Sequence, residues 1–273
     1  AAVLKAGAAS KGEELYRHIG DDNAALLPVP GVLLAMGSGR YGSLGNSGVK
    51  PSYACMCYGF TSFREASHAA WLIFFEYSKM ISKIFDMETC LSEKIIIPKG
   101  KINSDLELYN IFGEVISKLG FEDKAGIQVD VAATTYFDAN KGRYIGLFSP
   151  EEKTKEELIN YYEKITADYP FLIIEDPLEE NDFTGHAYLT KKLGIQIVGD
   201  DLYATDMKRV EKGVKTNATN TVLLKVNQIG TISEAFKMVR YAQEEGIAIM
   251  PCASRGEGVA IADYSVGLNT GQL

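Results

Sequence analysis

The sequence predicts an α/β protein built on a parallel sheet, and two features of its pattern point to that fold class. From about residue 127 onward, short apolar runs alternate with longer amphipathic stretches, as in strands joined by helical crossovers. In addition, three of the apolar runs end on an acidic residue, and a charge at the end of a core strand is costly unless it has a task. In βα proteins such charges gather at the carboxyl ends of the strands, where the active site lies.

The elements are predicted from the period of the apolar residues and from the positions of glycine and proline. Residues 1–25 are expected to form a helix and a loop, and residues 31–52, which are rich in glycine and serine, a flexible loop. Amphipathic helices are predicted at 63–85, which carries the only tryptophan, and at 104–120. Further strands are expected near 127–132, 171–175, 195–199, 222–226 and 247–250. Further helices are expected near 152–167, 182–192, 206–214, 231–245 and 257–267.

Composition narrows the classes of function. The 273 residues include 46% hydrophobic side chains, which is enough for a barrel-sized core. A net charge of −8 without a basic cluster argues against nucleic-acid binding, and no apolar stretch reaches the length of a membrane span. The cysteines are Cys55, Cys57, Cys90 and Cys252. Because their spacing does not match a zinc site, they are expected to be reduced, as in an intracellular, cytoplasmic protein.

Four charged residues at the ends of predicted strands indicate the chemistry. Asp130, Glu175 and Asp200 each close an apolar run, and three carboxylates gathered in this way suit a hard divalent cation such as Mg²⁺. Lys225 ends the next run, and a lysine beside a cation gives up its proton more easily, as a base acting next to a substrate carboxylate must. Other interpretations stay open: the carboxylates could cap helices or pair with basic residues, and Lys225 could pair with Asp200.

Two long strings resemble the enolase family, and they read GIQIVGDDL at 194–202 and LLKVNQIG at 223–230. The resemblance runs from one end of the chain to the other. It implies an enolase-type, TIM-like βα barrel at 27–273, incomplete at its carboxyl-terminal end, with residues 1–26 as the tail of the family's small amino-terminal α+β domain.

The same resemblance assigns roles to the strand-end residues. Asp130, Glu175 and Asp200 match the three positions that hold Mg²⁺ in enolases, and Lys225 matches the catalytic base. The family acts on a phosphorylated small molecule, so a ligand of that kind is expected here.

The chain departs from the enolase pattern on the acid side and at the phosphate. Ser52 stands where the family has one of two glutamates, and the best match for the second is Glu93, beside which the glycines that shape the family's turn are missing. In the phosphate-gripping string, Ala253 replaces a histidine. Ser254 and Arg255 remain as candidate substrate-binding residues.

These departures favour an enolase-family pseudoenzyme that serves as a structural or interaction module, because a base without its acid partner catalyses poorly. Such a module is expected to form a homodimer or to join a cytoskeletal or ciliary assembly. One alternative is a working phosphopyruvate hydratase that converts 2-phosphoglycerate to phosphoenolpyruvate. Another is a different reaction of the enolase superfamily that uses the same lysine and metal.

Overall fold

Two short helices, α1 (Ala2–Lys11) and α2 (Leu15–Gly20), open the computed structural model, which describes residues 1–20, 24, 26–40, 48–252 and 258–273. Ala8 of α1 and Leu15 of α2 are buried in the same apolar cluster as Tyr264, near the other end of the chain. The division into 1–26 and 27–273 therefore stays a prediction. No helix among the described residues is long and apolar enough to cross a membrane.

The remaining helices and strands alternate along most of the chain. In chain order they are β1 (Gly31–Gly37), β2 (Ser52–Met56), α3 (Phe63–Phe85), β3 (Ile95–Ile97), α4 (Leu106–Leu119), β4 (Gly126–Asp130), β5 (Phe137–Asp138), β6 (Arg143–Ile145), β7 (Glu152–Lys153), α5 (Lys155–Asp168), β8 (Phe171–Glu175), α6 (Phe183–Leu193), β9 (Gln196–Gly199), α7 (Met207–Thr216), β10 (Thr221–Leu224), α8 (Val226–Ile229), α9 (Ile232–Glu244), β11 (Ala248–Pro251) and α10 (Ala260–Gly267).

Eight of the strands form one sheet, in the order β11-β10-β9-β8-β4-β2-β1-β3. Strand β2 runs antiparallel to both of its neighbours, and every other adjacent pair is parallel. The predicted parallel α/β sheet is therefore confirmed, with five of the predicted strands side by side. Within the described residues β3 and β11 each have a single neighbour, so the sheet does not close there. Strands β5, β6 and β7 make a small separate sheet.

The flexible loop predicted at 31–52 is wrong over its first part. Residues 31–37 form β1, which lies between β2 and β3, and the run from Leu34 to Met36 is buried. Pairing on both sides of this apolar segment outweighs the glycines that suggested a loop, since strand formation depends more on tertiary context than on composition. Residues 41–47, at the centre of the predicted loop, lie outside the described residues.

Alternation along the strands separates the core from the face that carries the site. One set of strand side chains packs under the helices and includes Val129, Ile174 and Ile197. The opposite set forms a small cluster of its own, made of Met56, Ile173, Val198, Leu223 and Met250. Because side chains two positions apart share a face, the residues that follow this cluster along each strand project from the same side of the sheet.

One buried histidine lies away from that face. His186 in α6 is fully buried, and its Nδ1 lies 2.9 Å from the carbonyl oxygen of Asp182. Its Nε2 has no hydrogen-bond partner among the described residues. Burial lowers the pKa of His186 to about 4, although the Asp182 carbonyl and carboxylate act in the opposite direction.

This histidine should make the protein less stable in mild acid. Between pH 6.5 and 4 the unfolded chain binds a proton at His186 that the folded chain does not, so stability falls as the pH falls. Going from pH 7.5 to 5.5, the contribution should be about 1.4 kcal/mol. Between the two pH values, the free energy of unfolding measured with urea should fall by about 1.4 kcal/mol more for the wild type than for His186→Leu, since the other titrating groups are common to both proteins. His68→Gln, which changes an exposed histidine, is the control and should keep the pH dependence of the wild type.

Candidate active site

The charged residues predicted at strand ends lie along one rim of the sheet. Asp130 and Glu175 are the last residues of β4 and β8 and are aligned as neighbours across the two strands. Asp200 directly follows β9, and Lys225 directly follows β10. Ser52 opens the antiparallel strand β2 and is the cross-strand partner of Asp130, so it lies on the same rim.

A buried group of carboxylates forms the centre of this rim. Oxygens of Glu175, Asp176 and Asp200 lie within 4.8 Å of one another, and all three residues are buried. Burial raises the pKa of Glu175 well above its usual range, and the charges of Asp130 and Asp200 raise it further. Burial also raises the pKa of Asp176, with added repulsion from Asp200 and Asp201. Clustered oxygens whose negative charges repel one another are a donor set that fits a hard divalent cation.

Asp176, which the sequence analysis passed over, organises this group. Its two carboxylate oxygens accept hydrogen bonds from the backbone N–H groups of Asp200, Asp201 and Leu202, at 3.0, 2.7 and 3.4 Å respectively. Its own backbone has φ 43°, a left-handed conformation that is rare for residues other than glycine. Asp176 thus ties the end of β8 to the turn after β9 and fixes the position of Asp200. The signal in the sequence was the second acidic residue in Glu175-Asp176-Pro177.

Asp130 is near this group but engaged elsewhere. Among the described residues, Asp130 is not part of the group whose carboxylate oxygens lie within 4.8 Å of one another. Instead, Oδ1 of Asp130 accepts a hydrogen bond of 2.9 Å from Nη2 of Arg40, which is almost completely buried. Of the three predicted metal ligands, the structure therefore brings Glu175 and Asp200 together and pairs the third with an arginine.

Lys225 reaches directly into the carboxylate group. Its Nζ donates a hydrogen bond to Oδ2 of Asp200, while Nε2 of Gln228 donates to Oδ1 of the same carboxylate at 2.7 Å. The hydroxyl of Thr205 accepts from the Lys225 backbone N–H at 3.1 Å and so fixes its backbone. Burial acts to lower the pKa of Lys225, but the neighbouring Asp200 and Glu175 charges outweigh it, and the pKa lies above its usual value.

One cysteine also lies on this rim. Cys252 follows β11 and is close enough to Glu175, Lys225 and Asp200 to sense their charges. Burial, followed by the negative charge of Glu175, raises the pKa of its thiol to about 12. The group therefore stays protonated near neutral pH and is a poor nucleophile.

The structure places only two of the remaining predicted site residues, Glu93 and Ser52, and only Ser52 lies on this rim. Glu93 is exposed and precedes β3, which runs parallel to β1 and β4, so it lies toward the opposite edge of the sheet. Ser254 and Arg255 lie outside the described residues. Ser52 is buried on the rim beside Asp130 and offers a hydroxyl where an acidic catalyst would need a carboxyl.

Comparisons with known proteins agree with this geometry. Residues 25–273 match the family model described as the enolase C-terminal TIM barrel domain. Over its whole length the chain is 34% identical to the enolase of Methanocaldococcus jannaschii and covers 63% of that protein. It is 36% identical to the enolase of Campylobacter jejuni strain RM1221 and 34% identical to that of Helicobacter pylori strain Shi470, covering 64% of each. The chain thus spans less than two thirds of the length of these relatives.

Proposed function

We propose, since the chain belongs to the enolase family, that its rim is a Mg²⁺ site with a lysine base whose acid partner has been lost. Enolases use Mg²⁺, and the buried carboxylates could bind such an ion. The observation that carries the proposal is the placement of Ser52. It lies on the rim with Asp130, Glu175, Asp200 and Lys225, at the position where the resemblance expects a glutamate.

The metal-binding half of the proposal rests on the strand-end carboxylates. Glu175 and Asp200 supply oxygens from adjacent strands, Asp176 holds the turn that carries Asp200, and Asp130 is the third proposed ligand. When bound, Mg²⁺ would offset the charges of these carboxylates and of a substrate carboxylate. The carboxylates would then stabilise the protonated form of Lys225 less strongly.

The base half rests on Lys225. In the proposed reaction its Nζ takes the proton from the carbon next to the substrate carboxylate. For dehydration, the bond between the next carbon and its hydroxyl oxygen must then break, and that oxygen needs a proton to leave as water. The hydroxyl of Ser52 is far too weak an acid to supply it near neutral pH. We therefore infer exchange of the substrate proton with little dehydration.

Steady-state assays of the full-length protein with 2-phosphoglycerate test this proposal. In D₂O, proton NMR should show exchange at the carbon next to the carboxylate, and this exchange should be lost in Lys225→Met. Formation of phosphoenolpyruvate should be about a hundred- to ten-thousand-fold slower than with the Campylobacter jejuni enolase measured in parallel. If the protein dehydrates 2-phosphoglycerate at the rate of that enzyme, and Lys225→Met abolishes the activity, the acid partner of Lys225 has not been lost.

A working phosphopyruvate hydratase is the second candidate. Identities of 34–36% over the whole chain to proteins named enolase favour it. In that case groups outside the described residues would complete the acid side. Ser52→Glu separates the two candidates, because a chain that already dehydrates its substrate should lose activity when a charge is buried beside Asp130. In an impaired enzyme, this single change should leave dehydration slow, because Ala253 also departs from the pattern.

A protein with impaired chemistry suits the structural or interaction role predicted from the sequence. We infer that the protein binds a phosphorylated small molecule. We also infer that the protein acts in the cytoplasm, as a homodimer or within a cytoskeletal or ciliary assembly. Light scattering of the full-length protein at several concentrations tests the homodimer, and a mass that stays at one chain would contradict it.

A further inference from the structure

An arginine forms an unusual buried contact at the end of β4. Nη2 of Arg40 donates to the backbone oxygen of Asp130 at 2.6 Å and to its carboxylate Oδ1 at 2.9 Å. Nη1 donates to the hydroxyl oxygen of Tyr136 at 3.3 Å and, less directly, to the backbone oxygen of Val131 at 3.4 Å. The hydroxyl of Tyr136 in turn donates to the backbone oxygen of Val49 at 2.8 Å. The guanidinium is thus held from several sides and not only by the carboxylate.

Burial makes this contact more than a surface ion pair. Only 1% of the Arg40 side chain is exposed, compared with 21% for Asp130. An arginine keeps its charge at any physiological pH, so a permanent positive charge is fixed within the protein at this point. Its partner Asp130 lies close enough to Glu175 for the two negative charges to repel each other. The positive charge is therefore next to the carboxylate group on the rim.

We propose that Arg40 is a built-in counter-ion of Asp130 that weakens divalent-cation binding at the rim and holds Asp130 apart from the Glu175, Asp176 and Asp200 group. The proposal rests on the metal site proposed above. Arg40 occupies one oxygen of Asp130, and its charge repels a cation that approaches the neighbouring carboxylates. A metal ion and the guanidinium thus compete for the same carboxylate.

Coulomb's law sets the size of the expected effect. A unit positive charge several ångströms from a divalent cation, in surroundings of intermediate polarity, changes its affinity by about tenfold or more. Arg40→Gln removes the charge but keeps hydrogen-bonding groups, so it should bind Mg²⁺ at least about tenfold more tightly than the wild type. Arg40→Lys keeps the charge and should stay within about threefold of the wild type.

Isothermal titration of the full-length protein with Mg²⁺ alone measures these affinities. Circular dichroism and thermal unfolding show whether each variant is folded, and Arg40→Met serves as a second neutral variant of similar length. Arg40→Gln should increase the Mg²⁺ affinity much less in an Asp130→Asn protein than in the wild type, because the two residues act on each other. On the wild type itself, saturating Mg²⁺ should shift the ¹⁵N resonances of the Arg40 guanidinium.

The outcomes separate this proposal from the metal site on which it rests. If the wild type and the neutral variants all fail to bind Mg²⁺, the metal site is wrong and the role of Arg40 falls with it. If the wild type binds Mg²⁺ but a folded neutral variant binds no more tightly, the metal site stands and the counter-ion role is wrong. If the neutral variants do not fold, an Arg40 resonance that is unmoved at saturation overturns the counter-ion role.

Discussion

Replacing Asp200 with alanine should reduce the affinity of the protein for Mg²⁺ by at least about a hundredfold, because loss of a direct ligand costs more than loss of the groups that orient it. Asp200 is close to both the other carboxylates and the lysine of the site. Its carboxylate lies within 4.8 Å of the Glu175 and Asp176 oxygens and also accepts hydrogen bonds from Lys225 and Gln228. Isothermal titration of the two proteins with Mg²⁺ should give a measurable binding heat for the wild type alone.

A matched control separates the loss of a ligand from the loss of a charge. Glu180→Gln also removes one negative charge near this rim, where Glu180 is close enough to Asp201 to influence its carboxyl. We expect this variant to change the Mg²⁺ affinity by less than about threefold, since a screened charge acts weakly over a distance. A second readout is the rise in melting temperature with added Mg²⁺, which should be present in Glu180→Gln and absent in Asp200→Ala. Equal binding by wild type and Asp200→Ala would rule out Asp200 as a ligand.

Replacing Asp105 with alanine should lower the free energy of unfolding by about 3–5 kcal/mol, because the substitution removes the carboxylate that pairs with a buried ammonium group. Asp105 is completely buried and accepts hydrogen bonds from Nζ of Lys50 and from the hydroxyl of Tyr53. The Lys50 side chain is 8% exposed, so water cannot replace the lost partner. Burial raises the pKa of Asp105 even though Lys50 acts to lower it, so the cost of burying the carboxylate outweighs the attraction of its partner.

The double variant Lys50→Met with Asp105→Leu is the informative control. When both charges are replaced by apolar side chains of similar size, no unpaired charge remains and most of the lost stability should return. Urea unfolding followed by circular dichroism would measure both variants. If Asp105→Ala lost less than about 1 kcal/mol, or if the double variant were the less stable of the two, the Lys50–Asp105 pair would not have the role assigned to it.

The candidate site was predictable where it depends on strand order. Asp130, Glu175, Asp200 and Lys225 each end an apolar run, and consecutive parallel strands place their carboxyl ends on one rim. The contact between Lys225 and Asp200 was one of the interpretations left open by the sequence, and the structure shows it. What could not be predicted was the partner of Asp130. Arg40 meets Asp130 across 90 positions of sequence, a separation at which only the folded chain selects partners.

The sequence by itself determined the α/β class, the helix at Phe63–Phe85 and the positions of five of the parallel strands, because local periodicity encodes which residues face the core. The tertiary structure alone decided that residues 31–37 form a strand, since pairing on both sides of β1 overrides its glycine content. It also decided that Asp176, and not Asp130, lies in the carboxylate group, and that Glu93 lies away from it. Contacts between distant segments depend on how the sheet twists and which strands adjoin, and short stretches of sequence carry no record of that.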